Sequence, residues 1–309
     1  MWDDYLGQAM SRAINLRLIY PASKDKEDTS VTRKIELKNG SLQLNRLCLP
    51  TPSPWQHLSA SLADRLQELI EAIESDEHVA IICGRGGYGA SDLLPHLPWE
   101  RWQNRPGKLI IGFSDISALH AAFYTKLGWP GLHAPMPATN YWSEHPESDL
   151  PLLYQALTQP ELPIGISLQG NNAVSTGHQG TLFGGCLSVL TNLIGTPYLP
   201  SSLARHILFW EDIDEPMGRI FRNVNQWQQS GVLAGVEAII LGQFTLKQNI
   251  LDLPMLADEI SQRTGIAVYT SLDFGHCSPN MPLMIGGQAE IINHQLIWKR
   301  SLLHGTLTT

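Results

Sequence analysis

Two short apolar runs, VAIIC at residues 79–83 and KLIIGF at residues 108–113, constrain the fold more than any other feature of the sequence. Each is hydrophobic throughout, which is typical of a strand buried on both faces of a sheet. Helical spacing of apolar residues predicts a helix over 58–75, before the first run, and another over 116–127, after the second. Strands alternate with helices through about residue 150, which predicts a doubly wound α/β domain with a mostly parallel sheet.

The remainder of the first half is less regular. We expect a strand over 16–22, a helix over 30–38 that the Asn39-Gly40 turn closes, and a second strand over 41–49. The segment 141–163 places four prolines around one short helix, a composition that predicts the exit from the first domain.

The second half has a different sequence pattern, in which short apolar segments are separated by predicted turns that contain Gly and Pro. Strands are predicted over 166–168, 206–210, 238–242 and 289–298, and helices near 184–195, 219–231 and 252–264. A chain of 309 residues has room for about two domains. We therefore expect an α/β domain over 1–163 and a β-rich, barrel-like α+β domain over 164–309.

Composition and charge exclude several functional classes. The chain is 43% hydrophobic, but no stretch approaches the roughly 20 apolar residues of a membrane span. The net charge of -8 argues against nucleic-acid backbones and anionic lipids as main partners. The N-terminus does not resemble a secretory signal, and the four cysteines are widely spaced without a C-x-x-C pair. We therefore expect a cytoplasmic protein with reduced thiols.

The segment GRGGYG at 84–89 fits the dinucleotide fingerprint G-x-G-x-x-G, which is a weak signal by itself. Three features argue against a nucleotide. The motif comes late in the chain, Pro95 and Pro98 cut the next helix after one or two turns, and residues 101–110 supply no acid for a ribose. The other use of glycine is close backbone approach, in which peptide N–H groups face a developing negative charge.

Such a charge requires a nucleophile, and Ser114 lies at the junction between the KLIIGF strand and a predicted helix. A strand–turn–helix junction aims the side chain out of the sheet edge, and the amides of Asp115 and Ile116 could stabilise an oxyanion there. The junction is similar to a nucleophile elbow, although Ile116 stands where G-x-S-x-G requires glycine. The alternative is that Ser114 only caps the helix.

A serine nucleophile needs a base and a group that orients the base. Among eleven histidines, His276 stands apart because it lies in a Gly-flanked loop, SLDFGHCSPN, after a strand-like segment; the alternative is an ordinary surface loop residue. Glu211 directly follows the apolar strand HILFW. We expect the acids that follow it to form an ordinary acidic loop: Asp212, Asp214 and Glu215.

The other candidates are weaker. We expect a structural role for the histidines without distinguishing context: His96, His120, His133, His145 and His178. Cys277 is poorly placed as a nucleophile because adjacent side chains diverge and its neighbour is His276. No histidine stands at ligand spacing from the acids and no HExxH motif occurs, so no metal site is expected.

Seven segments, in the right order, resemble the LD-carboxypeptidases, or muramoyltetrapeptide carboxypeptidases. They are LIYPAS, CGRGGYGASDLLPHL, IIGFSDISALH, HAPMP, GTLFGGCLSVLTNLIGTPYLP, FWEDIDEP and SLDFGH. The resemblance implies a serine peptidase with a Ser114–His276–Glu211 triad in the cleft between the two domains. It also implies a homodimer without metal or coenzyme. The chain departs from the family pattern at Cys186, where Asn is usual, and at Ala134, where Gly is usual.

The resemblance also implies a mechanism. The serine attacks the carbonyl that precedes a C-terminal D-residue, the histidine transfers the proton, and the glutamate orients the imidazole. We expect the amides of Asp115 and Gly86 to bind the oxyanion. Arg219 and Arg222, at i and i+3 on a predicted helix, are candidates for the group that anchors the terminal carboxylate. The alternative is that both are surface arginines.

The implied substrate is a cytoplasmic muropeptide, whose tetrapeptide would lose its terminal D-alanine during cell-wall recycling. Two alternatives remain open. A microcin C immunity peptidase shares the triad and fold but cleaves peptidyl-nucleotide or aminoacyl-nucleotide compounds. A non-catalytic muropeptide-binding protein would keep its function in Ser114→Ala, whereas a hydrolase would lose turnover.

Overall fold

The structure, a computed structural model, describes residues 13–24, 32–37, 40–46, 53–139, 142, 146–170 and 177–299. The buried apolar residues of these segments form one core cluster that runs through both halves of the chain. No helix in these segments is both long enough and apolar enough to cross a membrane.

The first sheet combines strands of the first half with one strand from the second. In chain order they are β1 (Ala13–Ile19), β2 (Thr32–Leu37), β3 (Gly40–Asn45), β4 (Ala80–Cys83), β5 (Leu109–Gly112), β6 (Gly131–His133) and β13 (Leu283–Ile285). Their order across the sheet is β13-β6-β5-β4-β1-β3-β2. The five central strands are parallel and the two edge strands antiparallel, which confirms the predicted doubly wound α/β class.

Five helices described in the first half accompany this sheet. They are α1 (Leu62–Glu74), α2 (Ala90–Leu93), α3 (Trp99–Trp102), α4 (Ser117–Leu127) and α5 (Pro146–Thr158). Ser61 caps α1, since its Oγ accepts a hydrogen bond from the amide of Asp64 at 3.2 Å. Helix α4 is buried along its first two turns and packs against β6 of the first sheet and a strand of the second.

The predicted helix over 30–38 is wrong, because residues 32–37 form β2. The sequence TRKIEL alternates charged and apolar residues, which suits an edge strand with one face on the core. Lys34 and Glu36 are exposed and form an ion pair at 2.6 Å, while Ile35 and Leu37 pack against the core. The strong helix propensity of Lys and Glu conceals this alternation in the sequence.

The second sheet contains the remaining described strands: β7 (Ile164–Ser167), β8 (His178–Cys186), β9 (His206–Asp212), β10 (Ala238–Leu246), β11 (Asn249–Ile250), β12 (Val268–Gly275), β14 (Gln288–Ile292) and β15 (Gln295–Lys299). Its path is β12-β10-β9-β8-β14-β15-β7, with β11 paired to the end of β10. Gln169, just after β7, exchanges two backbone hydrogen bonds of 2.8 Å with Thr270 of β12. The sheet therefore curls until its two ends meet, and the predicted barrel-like half is confirmed.

The two halves are joined at several points. Helices α6 (Leu187–Thr191), α7 (Met217–Gln229) and α8 (Leu253–Thr264) accompany the second sheet, and α6 packs against α4. The amide of Cys186 donates a hydrogen bond to Ser117 Oγ at 3.0 Å, and β13 extends the first sheet beyond β6. The domain boundary at residue 163 stays a prediction.

Candidate active site

The candidate site lies where strands of both sheets end. The glycine segment 84–89 directly follows β4, and Ser114 lies two residues after the end of β5, the next strand of the sheet. From the second sheet, β9 carries Glu211, and β12 ends immediately before His276. Because ligands collect at the carboxyl ends of parallel strands, this edge is where a site is expected.

Ser114 occupies a sharp turn between β5 and α4. Its φ of 61° lies in the left-handed region, which is uncommon for a residue with a side chain. The one-turn 3-10 segment Ser114–Ile116 leads into α4. No side-chain hydrogen bond caps the N-terminus of this segment or of α4. Ser114 is thus held in elbow geometry rather than used as a helix cap.

Glu211 and His276 form a close buried pair. Glu211 Oε2 lies 2.6 Å from His276 Nδ1, with the carboxylate fully buried and the imidazole 8% exposed. Burial alone would raise the pKa of Glu211, but His276 holds it below the ordinary value. Burial would lower the pKa of His276, and Glu211 raises it instead. The bond to Nδ1 leaves Nε2 as the nitrogen that can act as a base.

His276 stands beside the elbow. Its ring packs edge-on against Phe113, the residue before Ser114, with 4.9 Å between ring centroids. The structure describes both Ser114 and His276, and no hydrogen bond joins them. Catalytic hydrogen bonds are commonly long in unliganded enzymes and tighten when substrate binds. The alternative of an ordinary surface loop for His276 is wrong.

Gly86 and Asp115 meet at the nucleophile. A Cβ atom on Gly86 would lie 3.0 Å from Ser114 Oγ and 3.3 Å from the amide nitrogen of Asp115. Because Gly86 has no side chain, a gap remains beside the Ser114 hydroxyl. The amide nitrogen of Asp115 lies at the border of this gap. The Asp115 carboxylate accepts a hydrogen bond from the amide of Ala90 at 2.8 Å, and burial raises its pKa to about 6.

Sequence reasoning missed the residues that hold the glycine segment. Arg65 of α1 is buried and donates to the carbonyl of Pro21 at 2.8 Å and to that of Gly89 at 2.6 Å. The amide of Ser23 donates to the carbonyl of Gly86 at 3.0 Å. An arginine among the apolar positions of an amphipathic helix is a weak signal that could have pointed to Arg65.

Asp212 is expected in an ordinary acidic loop, but the structure shows a different position. It ends β9, is buried, and accepts hydrogen bonds from the amide of Ser188 at 2.8 Å and from Ser188 Oγ at 3.2 Å. Burial raises the pKa of Asp212 to about 6, with a further contribution from Glu211. Burial also raises the pKa of the Cys186 thiol, which lies 3.4 Å from Asp212. These groups fix the first turn of α6 behind the triad.

Two histidines behind the site are buried and neutral, as their predicted structural role requires. Burial lowers the pKa of His120 to about 3, and its Nε2 lies 3.0 Å from the carbonyl of Ile110. Burial lowers the pKa of His133 to about 4, and its ring packs against Phe113 and Phe274.

The remaining predicted residues lie at the surface. Arg219 and Arg222 are on α7, where Arg219 is 65% exposed and pairs with Glu215 at 3.1 Å, and Arg222 is exposed. Their role as the carboxylate anchor stays a prediction. Among the described residues, no cluster of three or more His, Cys, Asp or Glu side chains could hold a metal ion.

Comparison with known proteins agrees with this geometry. The murein tetrapeptide carboxypeptidase of Pseudomonas aeruginosa is 30% identical over 292 residues, which cover 91% of this chain and 94% of that protein. A muramoyltetrapeptide carboxypeptidase from Oxalobacter formigenes has a TM-score of 0.77 at 24% identity, over 94% of this chain and 100% of the other. The microcin C7 self-immunity protein MccF, in its wild-type apo state, has a TM-score of 0.76 at 22% identity, over 94% of this chain and 97% of the other.

The two solved structures share the fold of this chain. Family models match both halves, the LD-carboxypeptidase N-terminal domain over residues 17–134 and the LD-carboxypeptidase C-terminal domain over residues 179–291. The first match contains Ser114, and the second contains Glu211 and His276. The chain therefore belongs to the LD-carboxypeptidase family.

Proposed function

We propose that this protein is a serine LD-carboxypeptidase that removes the terminal D-alanine from muropeptide tetrapeptides. The observation that carries the proposal is the 2.6 Å contact between Glu211 and His276 beside the elbow at Ser114. A buried carboxylate that fixes an imidazole next to a strained serine is the arrangement that acyl transfer needs.

In the proposed reaction, Ser114 attacks the carbonyl carbon before the terminal residue while His276 Nε2 takes the hydroxyl proton. The resulting imidazolium is stabilised by Glu211 and gives its proton to the leaving amine. The oxyanion develops in the gap over Gly86, within reach of the amides of Gly86 and Asp115. Water then releases the acyl group by the same steps in reverse.

The substrate class is supported by the relative from Pseudomonas aeruginosa, which is named a murein tetrapeptide carboxypeptidase. We place the reaction in cytoplasmic recycling of the cell wall, in keeping with the free thiols of Cys83, Cys186 and Cys277. A homodimer belongs to the same proposal because the family resemblance implies it, and light scattering of the purified protein measures its mass.

The second candidate is cleavage of an aminoacyl-nucleotide. Its support is the fold likeness to MccF, one structure of which is a complex with glutamyl sulfamoyl guanosine. The same serine, histidine and glutamate would serve both reactions, so the substrate alone separates them.

The test is mass spectrometry of the purified protein with muramoyl tetrapeptide and, separately, with an aminoacyl-nucleotide. Loss of one alanine from the tetrapeptide supports the proposal, whereas an intact tetrapeptide beside a cleaved nucleotide favours the second candidate. Ser114→Ala is expected to abolish turnover and keep binding, and Ser201→Ala, at an exposed position, serves as the control. Full function in Ser114→Ala would identify a non-catalytic binding protein.

A further inference from the structure

We propose that Arg85 binds the free terminal carboxylate of the substrate and so restricts the enzyme to C-terminal residues. The inference rests on the proposed function, since only a carboxypeptidase needs this contact. In the substrate, an amide nitrogen and one Cα separate the scissile carbonyl carbon from the terminal carboxyl carbon, a span of roughly 4 Å. The anchoring cation must therefore lie close to the nucleophile.

Arg85 is placed to meet this requirement. It lies between Gly84 and Gly86, and Gly86 is the residue whose absent side chain leaves the gap beside Ser114 Oγ. Arg85 is thus one residue away from the backbone that contacts the nucleophile. Arg219 and Arg222, by contrast, lie on a surface helix of the other half.

The backbone on both sides of Arg85 is fixed by hydrogen bonds. The amide of Gly84 donates to the carbonyl of Ile19 at 2.8 Å, and the carbonyl of Gly84 accepts from Ala138 at 2.9 Å. The carbonyl of Gly86 accepts from Ser23 at 3.0 Å. The Cα of Arg85 is therefore fixed before substrate arrives, so that binding has only the side chain left to order.

Within the described part of the chain, the guanidinium of Arg85 remains available for an anion. Its one hydrogen bond among the described residues is a long contact of 3.5 Å to the carbonyl of Lys24, and it has no ion-pair partner there. Arg65, also at this edge, is buried and already donates to backbone carbonyls, and Arg219 is paired with Glu215. A planar guanidinium can donate two parallel hydrogen bonds, one to each oxygen of a carboxylate, in a bidentate geometry.

The sheet order gives the direction of the substrate. Ser114 follows β5, the glycine segment follows β4, and Lys24 follows β1, in the spatial order β5-β4-β1. The contact of Arg85 with Lys24 therefore places its guanidinium on the β1 side of the glycine segment. A substrate whose leaving residue crosses Gly86 from Ser114 would bring its carboxylate to Arg85.

The test compares Arg85→Gln with the wild type on two peptides, a tetrapeptide that ends in D-alanine and the same peptide with a C-terminal amide. For the free acid we expect kcat/KM to fall about 10- to 100-fold, mainly through KM, because a charge-assisted hydrogen bond is lost. For the amide we expect no change from the wild type. Arg205→Gln removes an exposed charge of the second half and should leave both values unchanged.

Three results would overturn the inference. The first is an unchanged kcat/KM of Arg85→Gln on the free acid, and the second is an equal loss on acid and amide. The third is an acid-specific loss in Arg219→Gln instead. If the wild type leaves the tetrapeptide intact, the proposed function fails and this inference fails with it. Arg85→Lys, which keeps the charge but not the planar fork, is expected to recover part of the activity on the free acid.

Discussion

Single residues set the geometry of the nucleophile. Ser114 is held at a φ of 61°, a strained conformation that lifts its hydroxyl from the sheet edge. Gly86 leaves room beside this hydroxyl, since a Cβ atom there would lie 3.0 Å from Ser114 Oγ, in the space proposed for the oxygen of the tetrahedral intermediate. These two positions together explain why a glycine segment and a serine turn follow neighbouring strands.

Gly86→Ala is therefore expected to remove most of the activity without unfolding the protein. The added methyl would lie 2.8 Å from Ser114 Cβ and would obstruct the oxyanion position. Loss of one oxyanion contact costs about 10²- to 10³-fold in kcat. Steady-state kinetics and thermal unfolding measure the two effects. Gly218→Ala, where nothing lies within 4 Å of the new atom, is the control. A Gly86→Ala enzyme within a few-fold of wild-type kcat would contradict the proposed oxyanion site.

The pairing of His276 with Glu211 predicts the pH dependence. Burial lowers the pKa of His276, but Glu211 outweighs burial and raises it above 6.5. The base must be neutral, so activity is lost as the pH falls through this raised pKa, and the acidic limb of kcat/KM lies at a higher pH than a histidine without the glutamate would give. In Glu211→Gln the limb moves to lower pH, and kcat falls by about 10³-fold or more because the imidazole loses its orienting group. An acidic limb that does not move in this variant argues against the pairing.

At the scale of elements, side chains bind the glycine segment to its neighbours. The carboxylate of Asp115, after β5, accepts the amide of Ala90 at the start of α2, which follows β4. Arg65 of α1 holds the carbonyl of Gly89 one residue earlier. Two strand-end loops are thus connected, which holds Gly86 and the amide of Asp115 in place beside Ser114.

Asp115→Ala should loosen this connection. The buried amide of Ala90 would lose its acceptor, at a cost of about 1–3 kcal/mol in the free energy of unfolding, and kcat should fall as the loops separate. Asp115→Asn keeps an acceptor without the charge. Burial raises the pKa of Asp115 to about 6, so at pH 8 the wild-type protein keeps a buried charge that lowers its free energy of unfolding. The Asp115→Asn variant has no such charge and should be at least as stable as the wild type at pH 8. Urea unfolding at pH 8 compares the two variants: Asp115→Ala should be less stable than Asp115→Asn by about 1–3 kcal/mol, and equal stability of the two would contradict a role for the hydrogen bond to Ala90.

The sequence predicts elements well where the local pattern and the tertiary role agree. The runs that became β4 and β5 are buried on both faces, so their unbroken hydrophobicity indicates their place in the sheet. β2 was hidden by helix-favouring charges on its exposed face. β13 has only three residues and pairs with β6, about 150 residues earlier, so no local pattern reveals it. Likewise, local context made Ser114, His276 and Glu211 candidates with alternatives, and the seven family segments together made them a predicted triad.

At the scale of the whole molecule, the site depends on contacts between the halves. Ser114, the proposed nucleophile, follows β5 of the first sheet, whereas Glu211 lies on β9 and His276 follows β12 of the second. β13 crosses back to complete the first sheet, and the bond from Cys186 to Ser117 ties β8 to the start of the helix after the elbow. One core cluster runs through both halves. Shared packing of this kind holds residues that are far apart in sequence side by side, as with the rings of Phe113 and His276.

A fragment of residues 1–163 is therefore expected not to fold as a cooperative unit. It lacks β13, whose three side chains are fully buried in the intact protein, and leaves β6 with an unpaired edge. We expect the fragment to bind a hydrophobic dye and to show no sharp thermal transition by circular dichroism. Co-expression with residues 164–309 is the control and should restore both the transition and peptidase activity. An isolated fragment that unfolds cooperatively at the temperature of the full chain would show that the halves are independent and that closure of the site does not require a shared core.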